Sequence, residues 1–276
     1  MTIERTGDLV TAAAAAGTGV LAFNVITLEH AEGILDGAAR AGRPVVLQVS
    51  ENAIAYHRGA GAALLRGCAE LLDRHEARAS LHLDHITDPA LHALADGVAV
   101  SSVMVDASAE DDATNVARTR EASAELHERG LFVEAELGAV GGKGAHVPGV
   151  RTDPDDAAAF VAATGVDALA VAVGSTHAMT EQTAALDEDL VSRIAAVVPV
   201  PLVLHGSSGV PREQLARVIG LGMAKVNIGT ALNVAFTGAV RDVLAAQPDL
   251  TDPRRYLGPA RDAVADLVAG FLSDLS

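Results

Sequence analysis

The residues best suited to chemistry in this chain are histidines and carboxylates at the ends of Val- and Leu-rich runs. Asp84-His85 closes one such run, His177 lies just past a second, and His205 ends a third and leads into Gly206-Ser207-Ser208-Gly209. Neutral imidazole suits zinc at roughly 2.0–2.1 Å, and three protein ligands with an open fourth position mark a catalytic zinc. Taken singly, each histidine reads equally well as a satisfied structural group. Taken together, at the ends of three runs, they read as one shared ligand set. Asn24, Ser50, Asp106, Ser108, Glu134, Glu136, Asn227 and Thr230 hold comparable places in other runs. The stretch from His205 to Gly209 has the makings of an anion cradle, because glycines let backbone N–H groups and hydroxyls close on phosphate oxygens. A Gly-Ser turn alone is more often only a turn.

Such residues meet only if the runs are held side by side. Eight β-like runs recur, over residues 20–27, 44–50, 79–85, 102–108, 132–138, 168–174, 201–207 and 225–230. Helical patterns such as 30–41, 111–129, 154–164, 187–197 and 211–221 lie between them, with Asp153-Pro154 and Val210-Pro211 as start signals and Thr152 or Asp153 as caps. Strand–helix alternation with short links predicts parallel strands and right-handed crossovers. Eight repeats predict an α/β fold of the (β/α)8 TIM-barrel type, whose active site lies where the strands end. No linker divides residues 1–276, so one barrel domain is expected. The tail from 251 onward reads as a turn and one extra C-terminal helix over 259–275.

Composition narrows the partners. A net charge of −16 repels phosphodiester backbones, so nucleic acid is not an expected partner. The single cysteine, Cys68, permits no internal disulfide; it reads as a buried small apolar residue, and a cytoplasmic location follows. Residues 9–28 are uncharged over about the length of a membrane span. They split instead into an Ala-rich helix, a Gly-Thr-Gly break and a strand, so no membrane is expected. His30, His57, His75, His92 and His127 read as solvated or capping, and His82 as packed and hydrogen-bonded. The Gly-rich loop 138–151, with Lys143, His146 and Arg151, reads as a lid over the site rather than a plain surface loop.

These residues carry a resemblance that runs nearly end to end. Ala22-Phe23-Asn24-Val25, Gln48-Val49-Ser50, Leu81-His82-Leu83-Asp84-His85, the run from Ser102 to Ser108, Val133-Glu134-Ala135-Glu136-Leu137-Gly138, the run from Thr164 to Val171, Leu204-His205-Gly206-Ser207-Ser208-Gly209 and Lys225-Val226-Asn227-Ile228-Gly229-Thr230 together resemble the class II, metal-dependent ketose-bisphosphate aldolases, especially their tagatose-bisphosphate branch. The resemblance implies one Zn2+ on His85, His177 and His205, with Asp84 as acid/base at the hydroxyl of the cleaved bond. It implies substrate and phosphate contacts at Asn24, Ser50, Gly206, Ser207, Ser208, Asn227, Ile228, Gly229 and Thr230. Asp106 and Glu136 would line the metal pocket or hold a second ion, and a monovalent cation would sit near the phosphate. A phosphorylated sugar and a homodimeric or homotetrameric assembly are the implied partners.

The expected reaction is reversible cleavage of a ketose 1,6-bisphosphate, fructose or tagatose type, to dihydroxyacetone phosphate and glyceraldehyde 3-phosphate. Metal chemistry of this kind requires no Schiff-base lysine, so neither Lys143 nor Lys225 is needed as a nucleophile. The chain departs from the family pattern at Ala178, where glycine is usual, at Ala231, where an acidic residue is common, and in residues 141–150, which hold no carboxylate. Of that last stretch, only His146 stands out as a base. Cleavage of 6-phospho-5-dehydro-2-deoxygluconate and a non-catalytic accessory role are the alternatives. The intact Asp84, His85, His177 and His205 argue against the second.

Overall fold

Valine, leucine and alanine dominate the eight runs, and in the computed structural model they pair as parallel strands that close on themselves. The structure describes residues 3–137, 151–175, 179 and 184–275. The strands are β1 (Val20–Asn24), β2 (Val45–Ser50), β3 (Ala79–Ile86), β4 (Val100–Val105), β5 (Phe132–Leu137), β6 (Ala168–Val171), β7 (Leu202–Leu204) and β8 (Met223–Ile228). Each pairs with the next in chain order and β8 returns to β1, so the barrel is closed. This is the expected TIM barrel.

The helices described are α1 (Thr6–Ala16), α2 (Leu28–Ala41), α3 (Glu51–Tyr56), α4 (Gly61–Arg74), α5 (Asp112–Glu128), α6 (Pro154–Thr164), α7 (Glu188–Val197), α8 (Arg212–Gly220), α9 (Thr230–Ala246) and α10 (Arg254–Asp274). None is long and apolar enough to cross a membrane. Their starts obey local chemistry. Asp153 accepts from Asp155 N at 2.8 Å, with Pro154 in the first turn, and Asp111 accepts from Thr114 N at 3.0 Å. Thr152 does not cap. Its hydroxyl donates to Leu137 O at 2.8 Å and accepts from Ala172 N at 2.8 Å, tying β5 to the segment after β6.

The two faces of the strands differ. Outward residues such as Phe23, Leu47, Leu81, Val133, Leu169 and Val226 are buried against the helices in one continuous core. The inward face is small or polar: Ala168, Ala170 and Val203 cluster with Phe132. That leaves room inside for Gln48, His82, Asp84, Glu134 and Lys225, all buried. Helix α1 packs Leu9, Val10 and Ala13 on Val20, Ala22, Val46 and Ala224. Thr6 at its start donates its N–H to Ser101 Oγ and its hydroxyl to Ser80 Oγ, both at 2.9 Å. Helices α2 and α10 meet through glycines, since a Cβ at Gly33 or Gly37 would fall 2.6 Å from Arg261 O or Ala265 O.

Several local expectations change: β1, β6 and β7 stop early, at Asn24, Val171 and Leu204, so His205 follows its strand. Strand β4 starts two residues earlier and stops at Val105, so Asp106 follows the strand. The β3–β4 crossover holds only a 3-10 turn, Pro89–Ala95. Thr230 does not end β8; it opens α9. Helix α10 begins at Arg254 and takes Pro259 into its second turn. Two histidines are also not solvated: His92 is buried, and His30 is buried with its ring stacked 4.5 Å from that of Phe236. His82 and Cys68 are buried as expected, and His82 Nδ1 lies 2.7 Å from Ser102 Oγ.

Candidate active site

The C-terminal mouth of the barrel holds a cleft of about 310 Å³ lined by Asn24, Gln48, Ser50, Asp84, His85, His205, Gly206, Ser208, Asn227, Gly229 and Thr230, with Ile26, Asn52 and Asn233 at its edge. Strand register sets this rim: Asn24 pairs with Gln48, Ser50 with Asp84, and Ala22 with Asn227. Adjacent strand residues normally face opposite sides. Asp84 and His85 nevertheless both line the cleft, because His85 takes φ 50° and the β3–β4 register shifts between Leu83 and Ile86. A left-handed non-glycine residue costs of order 1–3 kcal/mol and concentrates at functional sites.

Asp84, His85 and His205 offer donor atoms that all lie within 4.8 Å of one another. His85 Nδ1 lies 2.7 Å from Asp106 Oδ2, while Asp106 Oδ1 accepts from Ser108 N and Ser108 Oγ at 3.2 and 2.7 Å. His205 Nε2 lies 3.0 Å from Glu134 Oε1, and Lys225 Nζ donates to Glu134 Oε2 at 2.8 Å. An ionised carboxylate only accepts. Each imidazole therefore donates from the nitrogen facing its carboxylate and keeps the lone pair on the other. Those other nitrogens, His85 Nε2 and His205 Nδ1, face each other at 2.9 Å. Two lone pairs so close repel unless a cation or a proton lies between them. Asn227 Nδ2, 3.3 and 3.1 Å from the two nitrogens of His205, is nearly equidistant from both; it sits over the ring rather than along either lone pair.

Asp84 is buried and accepts from Asn24 Nδ2 at 3.0 Å and, more distantly, from Asn227 Nδ2 at 3.5 Å. Gln48 Nε2 donates to Asn24 Oδ1 at 3.0 Å, which orients the Asn24 amide toward Asp84. Burial alone would raise the Asp84 pKa, but attraction from His85, His205, Lys225 and His82 outweighs it and holds the carboxyl well below its usual range. Burial also opposes, and loses to, the His85 and Ser108 contacts at Asp106 and the Lys225 and His205 contacts at Glu134. Burial pushes His205 down, favouring the neutral ring.

The anion end of the cleft has a different chemistry. Among its described lining residues there is no lysine or arginine. Gly206 holds φ 67°, and Ser208 Oγ accepts from Ala231 N at 3.2 Å, so its own proton is free for a ligand. Gly229 must stay small, since a Cβ there would lie 2.7 Å from Asn24 Oδ1. Thr230 opens α9, and a helix N-terminus with glycine and hydroxyl neighbours favours an anion without a charged side chain.

Of the expected residues, Asn24, Ser50, Asp84, His85, His205, Gly206, Ser208, Asn227, Gly229 and Thr230 meet at this cleft. Asp106 touches His85 from outside it. Glu136, Ser207 and Ile228 are buried but do not line it; Ser207 donates its hydroxyl to Asn227 O. His177, Lys143, His146 and Ala178 lie outside the described residues. The roles of Gln48, Glu134 and Lys225 went unread in the sequence. A charged Lys225 two positions before Asn227 in an apolar strand was the signal available for one of them.

Comparison with known proteins agrees with this geometry. The family described as fructose-bisphosphate aldolase class-II matches residues 4–276. The fructose-bisphosphate aldolase of Thermus caldophilus is 38% identical, over 95% of this chain and 94% of that protein. That of Geobacillus stearothermophilus is 37% identical, over 91% and 89%. The crystal structure of the YdjI aldolase from Escherichia coli K12 superposes with a TM-score of 0.86 at 28% identity, covering 100% of this chain and 98% of that one. With its closed barrel and its histidine–carboxylate mouth, the chain belongs to the class II fructose-bisphosphate aldolases, a family of metal-dependent carbon–carbon lyases.

Proposed function

We propose that this aldolase cleaves a ketose 1,6-bisphosphate reversibly to dihydroxyacetone phosphate and glyceraldehyde 3-phosphate. Fructose 1,6-bisphosphate is the first substrate to test and the tagatose epimer the second. The observation that carries the reading is the pair of imidazole lone pairs converging beside an ionised Asp84. The donor set fits a borderline-soft divalent ion with imidazole ligands, zinc above all, on His85 and His205, with His177 as the third ligand. Bound there, the ion supplies Lewis acidity at the ketone oxygen.

Asp84 then does the proton work. Its depressed pKa keeps it a carboxylate at neutral pH, ready to take the proton of the C4 hydroxyl as the C3–C4 bond breaks and a carbonyl forms at C4. The electron pair of that bond passes to the ketone half, which becomes dihydroxyacetone phosphate on taking one proton at C3, so that the proton lost from the C4 hydroxyl is balanced. Asn24 and Asn227 hold the carboxylate in place. The ketone-side phosphate rests at Gly206, Ser208, Gly229 and Thr230, with Ser207 and Ile228 supporting the backbone of that cradle. A monovalent cation beside the phosphate would add charge that the lining lacks. Asn24 and Ser50 face the sugar. Asp106 serves His85 as an orienting acceptor, and Glu136 is the remaining carboxylate for a second ion.

In the same reading residues 1–276 make one aldolase domain, assembled as a homodimer or homotetramer in the cytoplasm. The test is release of triose phosphate from both bisphosphates by purified protein, with a chelator and with zinc restored. Chelator-sensitive cleavage supports the reading and ranks the sugars. Cleavage that survives complete metal removal sinks it.

A further inference from the structure

We propose that Lys225 is a positioning residue for the metal ligand His205 and acts through Glu134. The inference rests on the ligand reading above and extends it to the barrel interior. Lys225 and Glu134 are fully buried, at 0% and 1% side-chain exposure, on opposite sides of the space beneath the mouth. Neither reaches the cleft lining. A buried ion pair is weak evidence for stability, because desolvation offsets most of the attraction. Its use here is geometric.

The ammonium has donors only, and it holds Glu134 Oε2 at 2.8 Å. That leaves Oε1, 3.0 Å from His205 Nε2, to serve as an acceptor. The ring must then donate from Nε2, which turns the Nδ1 lone pair toward His85. The same arrangement recurs on the other imidazole. There Asp106 Oδ2 faces His85 Nδ1 at 2.7 Å, while the Ser108 hydroxyl and N–H hold Oδ1. Both metal-facing imidazoles are thus backed by a carboxylate that is itself anchored by a separate donor. Without Lys225, Glu134 loses the contact that sets its plane, and His205 loses a fixed tautomer and ring orientation.

The test compares Lys225→Met, the double variant Glu134→Gln/Lys225→Met and His205→Ala with wild type. The double variant removes both buried charges at nearly constant volume, so it keeps the question open to test if the single variant fails to fold. Zinc affinity is read by competition with a chromogenic chelator, and the melting temperature of each metal-free protein is measured alongside. Loss of such a supporting contact weakens metal binding by about 10–100-fold. We expect that loss in both lysine variants, with metal-free melting close to wild type in the double variant and lowered in Lys225→Met, which leaves Glu134 buried without its counter-charge, and at saturating zinc a lower kcat with an unchanged KM. If the double variant binds zinc as tightly as wild type while His205→Ala loses it, the role of Lys225 is refuted and the ligand reading stands. If His205→Ala also keeps zinc, both fall.

Discussion

Replacing Asp84 by asparagine isolates proton transfer from everything else the site does. The amide is isosteric with the carboxylate. Its oxygen still accepts from Asn24 Nδ2, which donates to Asp84 Oδ2 at 3.0 Å in the native site. Its NH2 would face Asn227 Nδ2, but at 3.5 Å that contact is already weak. The lost hydrogen bonding is therefore about 1 kcal/mol, within the range for a single net bond. The attraction from His85, His205 and Lys225 that favours the carboxylate is lost as well, so the variant is somewhat less stable. The protein should fold, and His85 and His205 should keep their own carboxylate partners and bind zinc. What disappears is the group that takes the hydroxyl proton. General base catalysis is worth about 10²–10⁴-fold, or roughly 2.7–5.5 kcal/mol at 1.36 kcal/mol per decade. The assay is steady-state cleavage coupled to triose phosphate reduction, with zinc content and melting temperature measured on the same sample. Zinc-loaded, folded Asp84→Asn that cleaves within tenfold of wild type would refute the assignment.

Three further outcomes follow from the packing and charge of the barrel. Gly37→Ala places a methyl 2.6 Å from Ala265 O and 2.7 Å from Val268 Cβ, so α2 and α10 must part. Overpacking of this kind costs about 1–3 kcal/mol and should lower Tm by about 2–4 °C per kcal/mol, whereas Gly238→Ala on α9 meets nothing within 4 Å and should stabilise. Cys68 is buried and burial pushes its thiol up to about 12, so native protein should resist a thiol reagent at pH 8 that labels the unfolded chain at once. Burial, with Lys225 next, pushes His82 down to about 3. Its folded value lies below its unfolded one, so the stability it contributes is complete above about 6.5 and is lost as pH falls toward 3, by up to about 1.4 kcal/mol per pH unit. The depressed Asp84, Asp106 and Glu134 act in the same direction, but only below about pH 4. Metal-free protein should lose Tm from pH 7 to 5, and His82→Gln should flatten that slope; an unchanged slope in the variant would reject the assignment to His82.

The barrel is legible in the sequence because eight apolar runs recur with helical patterns between most of them, and the mouth is legible because polar residues end the apolar runs. Legibility stops where three dimensions add something that alternation does not carry. Period two puts Asp84 and His85 on opposite faces; only the left-handed His85 brings them to one mouth. Thr230 continues the Lys225–Asn227 pattern in type but belongs to a helix, since the chain turns at Gly229, φ −126° and ψ −65°. The pairing of Lys225 with a carboxylate is harder still. A buried lysine inside a barrel demands a counter-charge, and Glu134 and Glu136 share the inward-facing parity of β5. Hydrogen-bonded register leads from Lys225 to Val203, then to Ala170, and then to Glu136. The contact is made by Glu134 instead. Strands in a closed barrel tilt by roughly 35–45°, so a path along hydrogen-bond partners climbs the barrel as it goes round, and residues in register on β8 and β5 stand at different heights. Parity along each strand could name the face; the tilt that decides which carboxylate meets Lys225, and so which imidazole it supports, exists only once the sheet has closed.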